Sequence, residues 1–368
     1  MHTMTKPRHR LPFRYLEPAV FSGLLDDPLL FLRIRPERRA ILFDCGQISH
    51  LAKRVVKPVD TVFISHAHMD HVMGVPTLVR HHHASPRPLD IFGPPGIIDR
   101  IGHLLHGFDW NLCEHYWFTL RVHEVHESFI RESHFYGPEG FSRSDRGEAR
   151  RSGGTIWSSP YVSVSAELLD HKLPVLAFRI DERPPFSVDA QKLAAMGLKA
   201  GDWLRDLKRS AWMGVAGTDV RPLSSDGTSA PPLDPGEARK LCAALQKGER
   251  GCSIGYLTDV GWTGENLARL ERFFPGLTLL CSECTFLAED MEKARASHHL
   301  CSSDLSSLAR TLAPRYLLPM HLSKSYLRRN DDLYLELSPP QGTTILRLPK
   351  HIVPPPIGEE DVRGWLTP

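Results

Sequence analysis

The sequence has no apolar run long enough to cross a bilayer, which takes roughly 18 consecutive apolar residues. Its apolar stretch nearest the N-terminus, residues 19–32, is interrupted by Asp26 and Asp27, which argues against a signal peptide or membrane anchor. Net charge is also small, because 45 basic side chains nearly cancel 43 acidic ones. No global field therefore favours nucleic acid or an anionic membrane, and any RNA-binding patch has to be local. We expect a soluble, cytoplasmic protein.

Cysteine is too sparse and too scattered for a disulfide framework. The 368 residues include seven cysteines, an odd number, and a chain of this length can bury a sizeable core without cross-links. Cys281 and Cys284 have the CxxC spacing of zinc-binding thiolates, but no second CxxC completes a four-thiolate site. We therefore interpret the cysteines as reduced and this pair as buried thiols.

Short apolar runs alternate with helical patterns, and the sequence has no internal repeat of the kind found in solenoids or propellers. Strands are predicted at residues 29–34, 40–44, 61–65, 89–92, 118–125, 161–168, 175–180, 255–258, 277–282, 316–320 and 344–348. Helices are predicted at residues 96–105, 189–196, 237–246, 264–274 and 302–312. This mixture favours sheets packed together with helices outside them.

Two polar stretches interrupt this alternation. Residues 127–154 are rich in Ser, Arg, Gly and Glu and are predicted to form a polar loop. Residues 181–250 begin with a proline-rich piece and end in a helical pattern. Long insertions of this kind are usually functional arms or linkers.

The most informative motif directly follows a predicted strand and reads His66-Ala67-His68-Met69-Asp70-His71. Imidazole nitrogens and carboxylate oxygens suit zinc and similar cations. Four candidate ligands on one end-of-strand loop are hard to explain by core packing, and the alternative, a solvated polar turn, needs no such density. We therefore predict a metal-binding loop here.

A hydrolytic centre needs further ligands, and candidates recur later in the chain. His171, Asp259 and His321 each follow a predicted strand. Each alone is a weak signal, because a lone His or Asp at a strand end is more often a turn residue. Together they repeat one arrangement, in which an apolar strand ends in a candidate ligand.

This order of motifs resembles the metallo-β-lactamase superfamily and, within it, the ribonuclease Z family of endonucleases that trim the 3′ trailer of precursor tRNA. The similarity covers roughly residues 41–323 and rests on residues 42–46, 63–76, 169–180 and 283–286, the last reading Glu-Cys-Thr-Phe. It implies an α+β fold, a four-layer αββα sandwich with an inserted arm. The implied domains are a divergent N-terminal segment at 1–40, two halves of the metallo-β-lactamase-like domain at 41–180 and 251–368, and the arm-like segment at 181–250.

The resemblance also assigns the candidate ligands to two metal ions. One ion is implied to be held by His66, His68 and His171, and the other by Asp70, His71 and His321, with Asp259 bridging. Two zinc ions are implied, with manganese as an alternative, and such a pair can clamp a phosphodiester around a shared water. Asp70 is implied to orient or deprotonate that water. The family further implies a homodimer and precursor tRNA as the partner.

The leaving oxygen of the cleaved ester also needs a proton. Residues 297–305 resemble a family stretch in which a histidine precedes a helix; by register His299 matches that histidine and His298 replaces a glycine. A histidine held by a carboxylate is a suitable general acid, and Glu283 is the matching carboxylate. The alternative is that both histidines merely open a helix.

The arm-like segment departs from the family pattern. The family's Gly-Pro pair is replaced around residues 200–202, and the basic residues nearby are offset by Asp202 and Asp206. RNA cleavage is therefore one of three interpretations. The second is hydrolysis of a small-molecule ester, such as a cyclic nucleotide, by the same metals, and the third is a non-catalytic binding protein on the same fold. The intact set of candidate ligands argues against the third.

Overall fold

The structure is a computed structural model that describes residues 10–85, 87–215 and 218–352. Its contacts divide the described chain into two compact units. The larger unit comprises residues 15–157, 163–180 and 253–352, and the smaller unit comprises residues 10–14, 158–162 and 181–252. All the candidate ligands lie in the larger unit.

The described strands form an eight-stranded sheet and a seven-stranded sheet. The first sheet follows chain order and consists of β1 (Leu16–Val20), β2 (Leu30–Ile34), β3 (Arg39–Phe43), β4 (Val59–Phe63), β5 (Leu89–Gly93), β6 (Thr119–Val125), β7 (Phe129–Tyr136) and β8 (Ser142–Arg150). The second consists of β9 (Thr155–Ser158), β10 (Val162–Asp170), β11 (Pro174–Glu182), β12 (Ser253–Leu257), β13 (Leu279–Glu283), β14 (Tyr316–Met320) and β15 (Thr344–Ile345). Its spatial order is β15-β14-β13-β12-β11-β10-β9. Strands β3 to β6 and β12 to β15 pair in parallel, whereas β1 to β3 and β6 to β8 pair antiparallel, so the first sheet is mixed.

The α-helices lie between these strands in the sequence. They are α1 (Lys53–Val56), α2 (Met69–Val72), α3 (Val75–His82), α4 (Ile97–His106), α5 (Ala190–Ala195), α6 (Trp203–Leu207), α7 (Pro235–Leu245), α8 (Gly264–Phe273), α9 (Met291–Ser297), α10 (Ser302–Leu312) and α11 (Asp332–Glu336). Some of these helices begin at a capping residue: Asp234 and Glu237 form a capping box on α7, and the Thr263 hydroxyl accepts from the backbone of α8.

The two sheets pack face to face through aromatic side chains. Phe43 and Phe63 of the first sheet stack at 4.8 Å between ring centroids. Phe178 of the second sheet meets them edge-on at 5.4 and 5.7 Å, and Tyr256 lies 5.7 Å from Phe43. Such pairs add modestly to the free energy gained by burying their rings.

Helices cover the outer faces of the sheets. Apolar side chains at helical spacing on α4, including Ile97 and Ile101, pack in one core with the outer face of the first sheet. Leu305 and Leu308 of α10 pack in a second core with the second sheet. Two mixed sheets with flanking helices confirm the predicted αββα class.

Residues 127–154 are not the polar loop that their composition suggests. They contain β7 and β8, an antiparallel hairpin at the edge of the first sheet. The hairpin is held by polar pairs across its strands, such as Ser133 Oγ to Asp145 Oδ1 at 2.6 Å and Arg131 Nη2 to Glu148 Oε1 at 2.8 Å. An exposed edge strand needs no apolar alternation, and its charges discourage pairing with another chain.

The segment 1–40 supplies β1 and β2, which extend the first sheet by antiparallel pairing with β3. Residues 1–9 of that segment lie outside the described part of the chain, as do 353–368 of the C-terminal half. Within residues 10–85, 87–215 and 218–352 no helix is long and apolar enough to cross a membrane.

Candidate metal centre

The predicted ligands meet because their strands end at one edge of the fold. The loop holding His66 to His71 follows β4, His171 follows β10, Asp259 follows β12 and His321 follows β14. Strands β10, β12 and β14 alternate with β11 and β13 in the second sheet, and β4 belongs to the first sheet. The carboxyl ends of strands are where ligands of α/β proteins usually bind. The structure brings all the predicted ligands into two touching groups.

The metal-binding loop lies close against the end of β3. Cys45 N donates to His71 O at 2.8 Å, and Gly74 N donates to Cys45 O at 2.8 Å. The approach is so close that a Cβ on Gly46 would lie 2.1 Å from Asp70 O, and one on Gly74 would lie 2.5 Å from Gly46 O. Only glycine at both positions allows the loop to dock there.

The first group comprises His66, His68, His171 and Asp259, with one potential ligand atom of each within 4.8 Å of the others. His66 Nε2 lies 2.8 Å from His68 Nδ1 and 3.5 Å from Asp259 Oδ2. His171 Nε2 lies 3.8 Å from the same carboxylate oxygen. Three imidazoles and a carboxylate at these spacings form a donor set that suits zinc.

The second group comprises Asp70, His71 and His321. His321 Nε2 lies 3.1 Å from Asp70 Oδ2, and His71 Nε2 lies 3.6 Å from that oxygen. Asp259 joins the two groups, because its Oδ2 lies 3.4 Å from His71 Nε2 and its Oδ1 lies 3.0 Å from His321 Nδ1. Asp259 therefore contacts both groups, which is the placement that the bridging role implied by the resemblance requires.

Hydrogen bonds behind the imidazoles aim them at the centre. His66 Nδ1 lies 3.1 Å from Ser65 Oγ, and His71 Nδ1 lies 2.9 Å from Asp44 Oδ2. His171 Nδ1 donates to the backbone oxygen of His298 at 2.6 Å. Each contact occupies Nδ1 and leaves Nε2 facing the other candidate ligands, as is usual around protein-bound metals.

Asp44 is a positioning residue that the sequence analysis placed in a strand motif without a role. Its buried carboxylate accepts from Ser65 N at 2.7 Å, Ser65 Oγ at 2.9 Å and Tyr256 OH at 3.0 Å, in addition to His71. It has a φ of 55°, a left-handed conformation that Asp tolerates better than most residues. The sequence feature that could have indicated this role is the position of Asp44, an acidic residue directly after an apolar strand.

The buried polar atoms fit a bound cation. His71 Nε2, Asp259 Oδ1 and His321 Nδ1 have no partner in hydrogen-bond geometry among the described residues, although the last two lie 3.0 Å apart. Leaving such an atom unsatisfied costs roughly 1–3 kcal/mol. Metal ligation satisfies these atoms, so the donor set and its geometry fit the two ions that the resemblance implies.

The pKa values of the candidate ligands are also consistent with a bound cation. Burial and the nearby positive charge of His71 lower the pKa of His66 to about 2, so His66 is neutral and can donate a lone pair. Burial opposes charge on His71, yet the carboxylates of Asp44 and Asp259 raise its pKa to about 10. A pKa this high favours the doubly protonated imidazolium of His71 at neutral pH, and a metal ion that binds His71 has to displace the second proton.

His299 and Glu283 lie beside this centre. His299 Nδ1 lies 3.1 Å from Glu283 Oε2, and Thr285 Oγ1 donates to that same oxygen at 2.7 Å. His299 Nε2 makes no hydrogen bond within the described residues. Burial opposes the charged form of His299, but the negative charge of Glu283 raises its pKa. His299 also lies within ligand distance of Asp259 and His321, an arrangement that the sequence did not suggest.

We expect Asp44→Asn to weaken zinc binding about 10- to 100-fold, because the amide keeps the shape but loses the charge that fixes His71. Competition with a chromophoric chelator measures the zinc Kd. Tyr256→Phe is the matched control: it removes one hydrogen bond to Asp44 and should weaken binding far less. An unchanged Kd in Asp44→Asn would remove Asp44 from the positioning of His71.

Sequence comparison identifies the family. Residues 39–138 match the model of the beta-lactamase superfamily domain. Ribonuclease Z from Deinococcus radiodurans is 30% identical over 290 residues, which cover 78% of this chain and 83% of that protein. This chain belongs to the metallo-β-lactamase superfamily. Ribonuclease Z from Shouchella clausii is 26% identical over 298 residues, with 79% of each chain covered.

A solved structure also has a similar fold. The crystal structure of unliganded yeast PDE1 superposes with a TM-score of 0.50 at 12% identity, covering 91% of this chain and 99% of that one. The predicted resemblance to the metallo-β-lactamase superfamily is thus confirmed, and the protein is a hydrolase of this fold with a His-rich metal site.

Proposed function

We propose that this metallo-β-lactamase-fold hydrolase is a two-zinc phosphodiesterase of the ribonuclease Z kind that cuts 3′-extended precursor tRNA. The observation that carries the proposal is the pair of ligand groups joined by Asp259. The 30% identity to ribonuclease Z over most of both chains supports the choice of substrate. Manganese is the alternative metal, and a homodimer is the assembly that we propose from the family.

Bound zinc would lower the pKa of a water molecule to about 7, and its positive charge would stabilise the negative charge of the phosphodiester. Asp70 would orient that water by accepting a hydrogen bond from it. Burial opposes ionisation of Asp70, but the hydrogen bond from His321 Nε2 and the charge of His71 lower its pKa, so the carboxylate stays negative. The Asp70 side chain keeps 38% of its surface exposed, which leaves it accessible from the substrate side.

His299 would donate the proton that the leaving oxygen needs. Its Nδ1 is engaged by Glu283, so Nε2 is the nitrogen that can face the substrate. Glu283 is fully buried and is itself held by Val260 N at 2.7 Å and Leu300 N at 3.2 Å. These bonds keep the carboxylate in place beside the imidazole, where its charge favours the protonated acid.

We expect His299→Ala to lower kcat about 10²- to 10⁴-fold, the usual contribution of a general acid, while two zinc ions remain bound. Kinetics with a phosphodiester substrate and zinc content by mass spectrometry measure the two effects separately. His106→Ala on the exposed end of α4 is the matched histidine control. Loss of a zinc ion from His299→Ala would instead make His299 a ligand.

The arm-like segment at 181–250 offers little charge for gripping RNA. Arg205 pairs with Asp202 at 3.7 Å, and Arg221 pairs with Asp219 at 2.9 Å. Each of these pairs neutralises a basic side chain, so the segment has less positive charge for RNA phosphates. Fewer counterions are then released when RNA binds, and the gain in affinity is smaller. We therefore propose that substrate contacts near the metal centre contribute a large share of the binding.

Cleavage of a 3′-extended precursor tRNA by zinc-loaded protein tests the proposal, with a generic phosphodiester such as bis(p-nitrophenyl) phosphate as the second substrate. A single cut near the end of the acceptor stem would support the ribonuclease Z assignment. Hydrolysis of the generic diester without any cut in the tRNA would contradict it and favour a small-molecule ester as substrate.

A further inference from the structure

Three cavities linked by shared lining residues lie beside the metal centre on the larger unit. A cavity of about 780 Å³ is lined in part by Glu127, Asp170 and Arg269, and it shares Pro95, Leu173 and Pro174 with a neighbouring cavity of about 330 Å³. The smaller cavity reaches the candidate ligand His68. It shares Ala67 and Arg100 with a third cavity of about 380 Å³.

We call this third cavity the Arg100 groove, and its main lining residues are Ala67, Met69, Met73, Arg100, His103 and Leu104. The other end of this series of cavities we call the acidic end, defined by Glu127, Asp170, Glu265, Lys172 and Arg269. The cavity that reaches His68 shares lining residues with both ends, so a strand leaving the metal centre has two alternative routes, one through each end.

The acidic end does not favour a polyanion. Arg269 is already engaged, because its Nη1 lies 3.0 Å from Glu127 and 3.3 Å from Glu167, and its Nη2 lies 3.2 Å from Glu265. The Lys172 ammonium donates to the backbone oxygen of Ala296 at 2.5 Å. The three carboxylates of the acidic end, Glu127, Asp170 and Glu265, outnumber its two cations, so its net charge is negative and disfavours a phosphate.

The Arg100 groove has the opposite character. The Arg100 guanidinium is exposed and makes no hydrogen bond or ion pair within the described residues, whereas the adjacent Asp99 is paired with Arg143 at 2.6 Å. A guanidinium free of protein partners can bind a phosphate through two parallel hydrogen bonds. The start of α4 is not the anion site, because buried Glu124 already accepts from Ile98 N at 3.4 Å.

Two methionines make the rest of this groove apolar. Met69 lies within the metal-binding loop and keeps 71% of its surface exposed, and Met73, two residues beyond the loop, keeps 48% exposed. Methionine side chains are flexible and polarisable, and surfaces built from them accept flat apolar groups of varied shape. A base next to the cleaved bond is such a group.

We propose that the Arg100 groove binds the nucleotide adjacent to the scissile phosphodiester, with the guanidinium on its phosphate and Met69 and Met73 against its base. The inference rests on the proposed RNA cleavage. It also sets the direction of the substrate: the polyanionic strand leaves the metal centre through the Arg100 groove and avoids the acidic end.

The test compares the KM for precursor tRNA with the KM for bis(p-nitrophenyl) phosphate, which carries no flanking nucleotide, using full-length zinc-loaded protein. Arg100→Ala should raise the KM for RNA about 10-fold or more with kcat within twofold, because a charge-assisted contact is lost. The KM for the small diester should stay within twofold. The KM of Arg100→Lys for RNA should lie between those of the wild type and Arg100→Ala, because lysine keeps the positive charge but lacks the paired N–H donors of the guanidinium.

Salt dependence adds a readout that a merely structural role would not move. Each lost phosphate contact should lower the slope of log KM against log salt by about 0.7–0.9. Arg272→Ala, an exposed arginine in the last turn of α8, is the matched control and should leave the KM and the slope unchanged.

The outcomes separate this inference from the proposed function. If the wild type cuts RNA and Arg100→Ala keeps the wild-type KM and salt slope, the groove assignment is overturned while the function stands. If Arg100→Ala slows both substrates equally, Arg100 serves the metal centre, and the groove assignment again fails. If the wild type cuts only the small diester, the RNA substrate is overturned and the groove assignment with it.

Discussion

Asp70→Ala is expected to lower kcat/KM by about 10³-fold or more, which corresponds to about 4 kcal/mol of transition-state stabilisation. The carboxylate would be lost both as a ligand of the second ion and as the group that orients the attacking water. Asp70 lies 3.1 Å from His321 and 3.6 Å from His71, so its removal leaves that ion with fewer ligands. Steady-state kinetics on a phosphodiester substrate measure the loss.

The fold should survive this change, because the Asp70 side chain is 38% exposed and carries no part of the apolar core. The far-UV circular dichroism of the variant should match that of the wild type. Asp109→Ala, an exposed carboxylate beyond the end of α4, is the matched control and should leave kcat/KM within twofold. Wild-type activity in Asp70→Ala would remove Asp70 from the chemistry.

Removing the metal should abolish activity and lower Tm. Without metal, the Nε2 of buried His71 has no partner, and several imidazoles crowd around Asp259. Because zinc binds these residues only in the folded protein, its binding stabilises the folded state. At zinc concentrations about 1,000-fold above Kd the stabilisation is about 4 kcal/mol for one site, which corresponds to a rise in Tm of about 5 °C for a chain of 368 residues. Dialysis against a chelator, followed by differential scanning calorimetry, measures it.

Restored zinc should recover both activity and Tm. Asp259→Ala provides the control, because loss of the carboxylate that joins the two ligand groups should make Tm nearly insensitive to the chelator. A wild-type protein that keeps its full activity and Tm after exhaustive dialysis would contradict a metal-dependent mechanism.

The sequence predicts the core of this fold well because buried parallel strands are short apolar runs. The strand predicted at 316–320 is observed as Tyr316–Met320, and the helix predicted at 302–312 is observed as Ser302–Leu312. The candidate ligands were found for the same reason, since each follows such a strand. Strand ends were predicted less well: the strand predicted at 61–65 is observed as Val59–Phe63, and the one predicted at 344–348 is observed only as Thr344–Ile345.

The features that the sequence did not indicate depend on long-range pairing. Strands β7 and β8 are held by polar cross-strand contacts, so their pattern is that of a loop. The contact between Asp44 and Tyr256 joins residues 212 positions apart, and no local pattern reports it. Arg100 lies on an exposed helix face, and only the folded chain places it beside His68.

The zinc content of the purified, zinc-loaded protein tests the central claim most directly. Inductively coupled plasma mass spectrometry should find two zinc ions per chain in the wild type. It should find one ion in the double variant His66→Ala and His68→Ala, because the second ligand group stays intact. One ion or none in the wild type, or two ions in the double variant, would contradict a centre built from two groups joined by Asp259.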